Sequence, residues 1–149
     1  MTGSTGIAAL SLEGATIHSQ SGLQRGKGLA SELLGRMSHA CKKRWQQVQC
    51  IVIDEISMIS AHFLDLLDEV ARVLKGNTVV FGNVRMVFVG DFGQLAPVAD
   101  LIRRENGDNI NLVKQQVKYA FQSPFWHKAD LQLFRLNHCW RCDVLLRSF

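Results

Sequence analysis

Two short apolar runs, each halted by a carboxylate, limit what this chain can fold into more than any other feature. Cys50-Ile51-Val52-Ile53 runs into Asp54 and Glu55, and the run over residues 84–89 leads through Gly90 to Asp91. The first, continuous and β-branched, reads as a strand buried on both faces, and the second repeats the pattern of an apolar run ending at an acid. Between them Phe63, Leu66, Leu67, Val70, Val73 and Leu74 recur at helical spacing, with Ser60 placed to cap the start and Lys75-Gly76 to end it. Strands alternating with helices predict an α/β fold, an open parallel sheet with helices on both faces.

The rest of the chain fits around this unit. Ile7-Ala8-Ala9-Leu10 reads as the first turns of a short helix after a small, polar segment over residues 3–6. Ala30, Leu33, Leu34, Met37, Cys41, Trp45 and Val48 form a helical stripe, which predicts one helix over residues 29–48. Residues 101–118 read as a polar, basic excursion whose tip falls at Asn106-Gly107-Asp108-Asn109. A short helix over 121–129 and a third strand over 131–136 complete the expected order. With 149 residues and 47% apolar content, the chain can bury one core and is expected to be one domain. No apolar run is long enough to cross a bilayer, so no membrane partner is expected. Residues 1–10 show no basic stretch ahead of an apolar core, so no leader is expected there.

Charge is distributed unevenly. Residues 1–50 hold six Lys or Arg against two acids, residues 51–100 three against seven, and residues 101–149 eight against four. Basic ends around an acidic middle suit a protein that meets phosphates on some surfaces and keeps carboxylates for a metal elsewhere, although ordinary solvated faces would look the same. Cys139-Trp140-Arg141-Cys142 has the spacing of half a zinc site, but Cys41 and Cys50 lie far away in sequence. Closed zinc sites need four well-spaced ligands, so reduced thiols in an intracellular protein are the plainer reading.

In open α/β sheets ligands collect at the carboxyl ends of the strands. Asp54, Glu55, Asp91 and Gln94 would therefore share a crevice if the two strands are neighbours. An acid directly after a buried strand must be paired or desolvated, and a bound Mg²⁺ would resolve that. Consecutive side chains of a strand point to opposite sides, so Asp54 could face a metal while Glu55 reaches an attacking water as general base. Two acids that merely cap the next helix or face solvent remain the simpler alternative on these residues alone.

The longer stretches around the acids carry more. Ile51-Val52-Ile53-Asp54-Glu55-Ile56-Ser57-Met58 and Val87-Phe88-Val89-Gly90-Asp91-Phe92-Gly93-Gln94-Leu95-Ala96-Pro97-Val98 resemble the Walker B and third motifs of the Pif-family helicases, relatives of the RecD-like enzymes of superfamily one. Thr5-Gly6-Ile7-Ala8-Ala9 is similar to the family's single-strand-contacting motif, and Gly14-Ala15-Thr16-Ile17-His18-Ser19 to the segment after it. Leu136-Asn137-His138-Cys139-Trp140-Arg141-Cys142-Asp143 resembles the stretch whose arginine reaches the γ-phosphate, with Cys142 where the family usually has glutamine.

The resemblance implies an incomplete RecA-like P-loop NTPase domain, covering residues 1–149 as part of a first motor domain. It implies ATP and Mg²⁺ as cofactors, with Asp54 on the metal, Glu55 activating water, and Gln94 sensing the γ-phosphate beside Asp91 and Arg141. Single-stranded DNA and duplex junctions would be the partners. Backbone N–H groups near Gly6 and the hydroxyls of Thr5 and Thr16 would hold phosphates, and His18 would add a contact. The implied activity is ATP-dependent 5'-to-3' DNA unwinding in repair, recombination or telomere maintenance, in a nucleus or mitochondrion if the source is eukaryotic. The sequence holds no Gly-x-x-x-x-Gly-Lys followed by Ser or Thr. The family places that loop upstream of Thr5 and a second motor domain after Phe149. The 149-residue chain alone is therefore expected to hydrolyse little ATP. The competing expectations are a truncated, non-catalytic module that binds nucleic acid or a partner, and an ATPase that moves something other than DNA.

Overall fold

The computed structural model describes residues 2–3, 15–24, 26, 28–98, 101–106, 109–114 and 117–138. Its central sheet contains β1 (Thr2–Gly3), β2 (Ala15–Thr16), β3 (Cys50–Asp54) and β4 (Arg85–Phe88), in the order β2-β1-β3-β4 with every pairing parallel. The helices are α1 (Ile17–Ser21), α2 (Ala30–Arg36), α3 (His39–Gln47), α4 (Ala61–Lys75) and α5 (Pro124–Lys128). The parallel sheet and its alternation with helices match the expected class. The expected helix over Ile7 to Leu10 lies outside the described residues.

The long helix between the two main strands forms as its sequence predicts. Ser60 Oγ accepts the Phe63 N–H at 3.2 Å, and Gly76, at φ 66°, ends α4 by donating to Arg72 O and Val73 O. Its inward face carries Phe63, Leu64, Leu66, Leu67, Val70 and Ala71, all buried. Each large apolar side chain removed from water contributes about 1.5–3 kcal/mol, so this face anchors the core. Val73, expected on the same stripe, is exposed. Asp68 is buried on α4 because it has partners: Oδ1 accepts the Phe81 N–H at 2.7 Å and Oδ2 pairs with Arg72 at 2.7 Å.

Four local expectations are corrected. The stripe over residues 29–48 forms two helices, since Met37 turns extended and Ser38 caps α3 by accepting the Cys41 N–H at 3.3 Å. The apolar spacing survives the break, with Leu33, Met37, Cys41 and Trp45 all buried. β3 is not buried on both faces. Only Ile53 is fully buried, and Ile51 and Val52 border an open hollow of about 400 Å³ beside Ile17, Trp45 and Val48. Residues 131–136 form no strand. Leu133, Phe134 and Leu136 stand exposed, and no described strand lies alongside to complete a ladder. The helix expected over 121–129 is a 3-10 turn (Ala120–Gln122) followed by α5, because Ser123 and Pro124 restart it: Ser123 Oγ accepts the Trp126 N–H at 3.2 Å.

The basic excursion is an antiparallel hairpin, β5 (Leu101–Asn106) with β6 (Asn109–Lys114). Asn106 pairs with Asn109, so the turn falls where the Asn-Gly-Asp-Asn sequence puts it. No described helix is long and apolar enough to cross a membrane.

Candidate active site

The two carboxylate-bearing strand ends meet because β3 and β4 pair in register, Cys50 with Arg85 through Ile53 with Phe88. The ladder runs one step past the strands. Val89 N–H donates to Ile53 O and Ile56 N–H to Val89 O, both at 2.9 Å. Asp54 and Asp91 thus emerge from adjacent strands at the carboxyl end of the sheet, where open α/β sheets hold their ligands.

At the end of β3, half-buried Asp54 accepts the Glu55 N–H on Oδ1 at 2.9 Å. Glu55 itself leaves the strand in the left-handed region, φ 54° and ψ 48°, and opens a 3-10 turn over Ile56–Met58. A residue with a Cβ adopts that conformation at a cost of about 1–2 kcal/mol. The pleat alternation expected to part Asp54 from Glu55 therefore stops at Asp54, and the left-handed turn aims Glu55 instead. The neighbouring strand comes close through Gly90, at φ 150°. A Cβ there would stand 3.0 Å from Ile56 N and 3.4 Å from Glu55 Cα.

At the end of β4, Asp91 is exposed and organises its own turn. Its Oδ1 accepts the Gly93 N–H at 2.9 Å, and its Oδ2 accepts from Gln94 Nε2 at 3.2 Å. Gln94 N–H also donates to Asp91 O at 3.0 Å. The Gly93 bond, then the Gln94 bond, holds the Asp91 carboxyl below its ordinary pKa, against a smaller upward push from desolvation.

Mg²⁺ takes one or two carboxylates and fills its other positions with water and phosphate oxygens. Asp54 fits that demand, because its Oδ2 accepts from no described residue. Among the described residues no group of three or more His, Cys, Asp or Glu is arranged as a self-sufficient metal cage.

The candidate nucleic-acid residues divide. Thr16 caps α1, with Oγ1 accepting the Ser19 N–H at 3.2 Å, which leaves the hydroxyl proton free to be donated. His18 packs its ring on Phe63, centroids 4.2 Å apart, and burial pulls its pKa below the ordinary value. Its position is thus fixed by a core contact that sequence did not indicate. Thr5, Gly6, Arg141, Cys139 and Cys142 lie outside the described residues. Cys41 is buried and Cys50 exposed, both free.

Sequence reading also missed an aromatic cluster under the Asp91 turn. Phe92 makes edge contacts with Phe121, Trp126 and Tyr119 at 4.9, 5.8 and 6.3 Å. The crowding of aromatic residues over 119–126 was the available signal, but nothing local tied it to residue 92.

The family described as PIF1-like helicase matches residues 1–146 of this sequence. The chain is 36% identical over 143 residues to the ATP-dependent DNA helicase PIF1 of Saccharomyces cerevisiae strain YJM789, covering 95% of this chain and 15% of that protein. It is 32% identical to the ATP-dependent DNA helicase RRM3 of Saccharomyces cerevisiae strain S288c, covering 95% and 18% respectively. It therefore spans less than a fifth of these curated relatives. The crystal structure of Pif1 helicase from Candida albicans is similar with a TM-score of 0.71 and 34% identity, over 85% of this chain and 26% of that one. Bacteroides Pif1 bound to ssDNA is similar with a TM-score of 0.55 and 30% identity, over 66% and 24%. The sheet and helices are thus part of a RecA-like domain.

Proposed function

Because the chain belongs to the PIF1-like helicase family, we propose that it supplies part of the first motor domain of an ATP-dependent DNA helicase, one that couples ATP hydrolysis to 5'-to-3' movement on single strands and to duplex unwinding. The observation that carries this reading is the in-register parallel pairing of β3 and β4, which brings Asp54, Glu55, Asp91 and Gln94 to one end of the sheet. Bound Mg²⁺ would neutralise charge on the ATP phosphates, with Asp54 as its protein ligand. Glu55 takes a proton from the attacking water, its carboxylate aimed by the left-handed turn.

Gln94 links nucleotide to motion. Its Nε2 donor rests on Asp91, and a γ-phosphate oxygen would compete for that donor while the amide oxygen accepts from water. Occupancy of the site would thereby change the Asp91 turn. The resemblance supports Arg141 as a further γ-phosphate contact. Thr5, Gly6, Thr16 and His18 would hold single-stranded DNA by its backbone, which makes the grip independent of sequence. The Bacteroides relative bound to ssDNA supports that partner class. Duplex junctions as the site of action, genome maintenance as the role, and a nuclear or mitochondrial location in a eukaryote complete the proposal.

The test is DNA-stimulated ATP hydrolysis by two proteins, the 149-residue chain and one extended through the neighbouring motifs, each with and without Glu55→Gln. Turnover only in the extended protein, reduced about 100-fold or more by Glu55→Gln, supports the proposal, since general-base catalysis supplies about 10²–10⁴-fold. A folded, extended protein that binds DNA without hydrolysing ATP would instead favour a non-catalytic binding module.

A further inference from the structure

The Asp91 turn is exposed where it would meet a ligand: Asp91, Gly93 and Gln94 all face solvent. Between them, half-buried Phe92 points its side chain into the protein. Its ring meets Phe121, Tyr119 and Trp126 at interplanar angles of 87°, 85° and 77°. Those partners are themselves ordered. Tyr119 stacks on Phe121 at 5.3 Å, and Trp126 stacks on Phe88 of β4 at 5.4 Å.

The segment that carries the partners is fixed to α4 at three points. Ala61 N–H donates to Lys118 O at 2.9 Å, Ser60 bridges Tyr119, and Ser123 Oγ donates to Asp65 Oδ1 at 2.8 Å. A path of packed groups therefore runs from α4, which follows Glu55, through residues 118–126 to Phe92. Edge-to-face contacts hold a ring in orientation as well as in place, which an aliphatic chain of similar volume does not reproduce.

We propose that Phe92 is a positioning residue: its ring, gripped by Tyr119, Phe121 and Trp126, sets where Asp91 and Gln94 stand relative to Glu55. The proposal rests on the reading of these residues as a hydrolytic site. Phe92 touches no reacting atom. Its influence falls on the chemical step, because the turn's alignment matters more to the transition state than to ground-state nucleotide binding.

The experiment compares Phe92→Leu, Phe92→Tyr, Phe121→Leu and Glu55→Gln in the full-length protein that contains this segment. Phe92→Leu is expected to lower kcat for DNA-stimulated ATP hydrolysis about tenfold while KM for ATP stays within about twofold, in line with the roughly 100-fold that a 1 Å misplacement can cost. Phe92→Tyr, which keeps the ring, should restore most of the loss. Unchanged kcat in folded Phe92→Leu, or a parallel loss from Phe92→Tyr, overturns the proposal. If Phe92→Leu fails to fold, Phe121→Leu decides, because that ring is already 38% exposed. A smaller fall in kcat at constant KM supports the proposal, and no fall overturns it.

If Glu55→Gln leaves turnover intact, the hydrolytic reading has failed, and amide exchange then tests the positioning alone. Faster exchange at Gly93 and Gln94 in Phe92→Leu, with the Ile56 N–H still protected, supports it. Unchanged exchange at Gly93 and Gln94 overturns it.

Discussion

The ends of β3 and β4 look alike in sequence, an apolar run followed by an acid, yet the fold builds them by different means. At the end of β3 the backbone does the work. Asp54 accepts the next N–H, Glu55 takes a left-handed conformation, and the ladder to Val89 locks both. At the end of β4 the acid is exposed and, among the described residues, ties up only its own turn, while an aromatic ring attaches the turn to the body. A rigid end, held by its backbone, and an end held by one aromatic ring face each other across a glycine contact. Such a pairing suits the proposed division of the site, with Glu55 performing the chemistry on one side and Gln94 registering the nucleotide on the other.

Measurements can break or sharpen this contrast. The largest expected effect is the loss of turnover in Glu55→Gln of the full-length protein, and the same assay on Asp91→Asn should show a loss of only about tenfold, since the proposed role of Asp91 is to align its turn. Equal losses would erase the distinction. Next is Gly90→Ala, where φ 150° and a Cβ 3.0 Å from Ile56 N strain the junction. Equilibrium unfolding should show destabilisation of about 1–3 kcal/mol; no change would mean that the two ends move apart freely.

Smaller still, Glu55→Gly should raise stability by up to about 1 kcal/mol while abolishing turnover, because it relieves the left-handed conformation at the rigid end. A loss of stability would show that the Glu55 side chain is itself a structural contact. The smallest effect concerns pH. Asp91, with its pKa lowered, contributes stability that is present above the ordinary 3.8 and is lost as pH falls through the lower folded value. An NMR titration should place its midpoint below 3.8, and Gln94→Leu should move it upward by removing one of the donors. A midpoint unmoved by Gln94→Leu would leave the Gly93 N–H as the whole cause.

What could be read from the sequence was what local chemistry decides. Ser60 and Gly76 fix the ends of α4 within its own turns, and Asn106 and Asn109 frame the hairpin by turn preference. The order of strand, helix and strand followed from periodicity, whereas the meeting of Asp54 and Asp91 at one sheet end required the two strands to be neighbours, which the structure supplies. The break at Ser38 was hidden because the apolar spacing continues across it. Residues 131–136 have the composition of a strand, but a strand exists only through a partner, and composition cannot supply one. Glu55 gives no hint of its positive φ, since glutamate rarely adopts it and the bonds around it, Ile56 N–H to Val89 O among them, join residues far apart in the chain. The contacts of Phe92 and of His18 join residues far apart in the chain, beyond the reach of any window of periodicity.

The strand order carries a consequence for biosynthesis. β1 lies between β2 and β3, pairing Thr2 with Ala15 on one side and with Ile53 on the other. On a ribosome β1 emerges about fifty residues ahead of β3, a wait of roughly 3–10 s at ordinary rates of translation. Until β3 emerges β1 lacks the partner that pairs with Thr2 and Gly3, its hydrogen-bonding groups stay open, and chaperone occupancy of this stretch should end as β3 clears the exit tunnel.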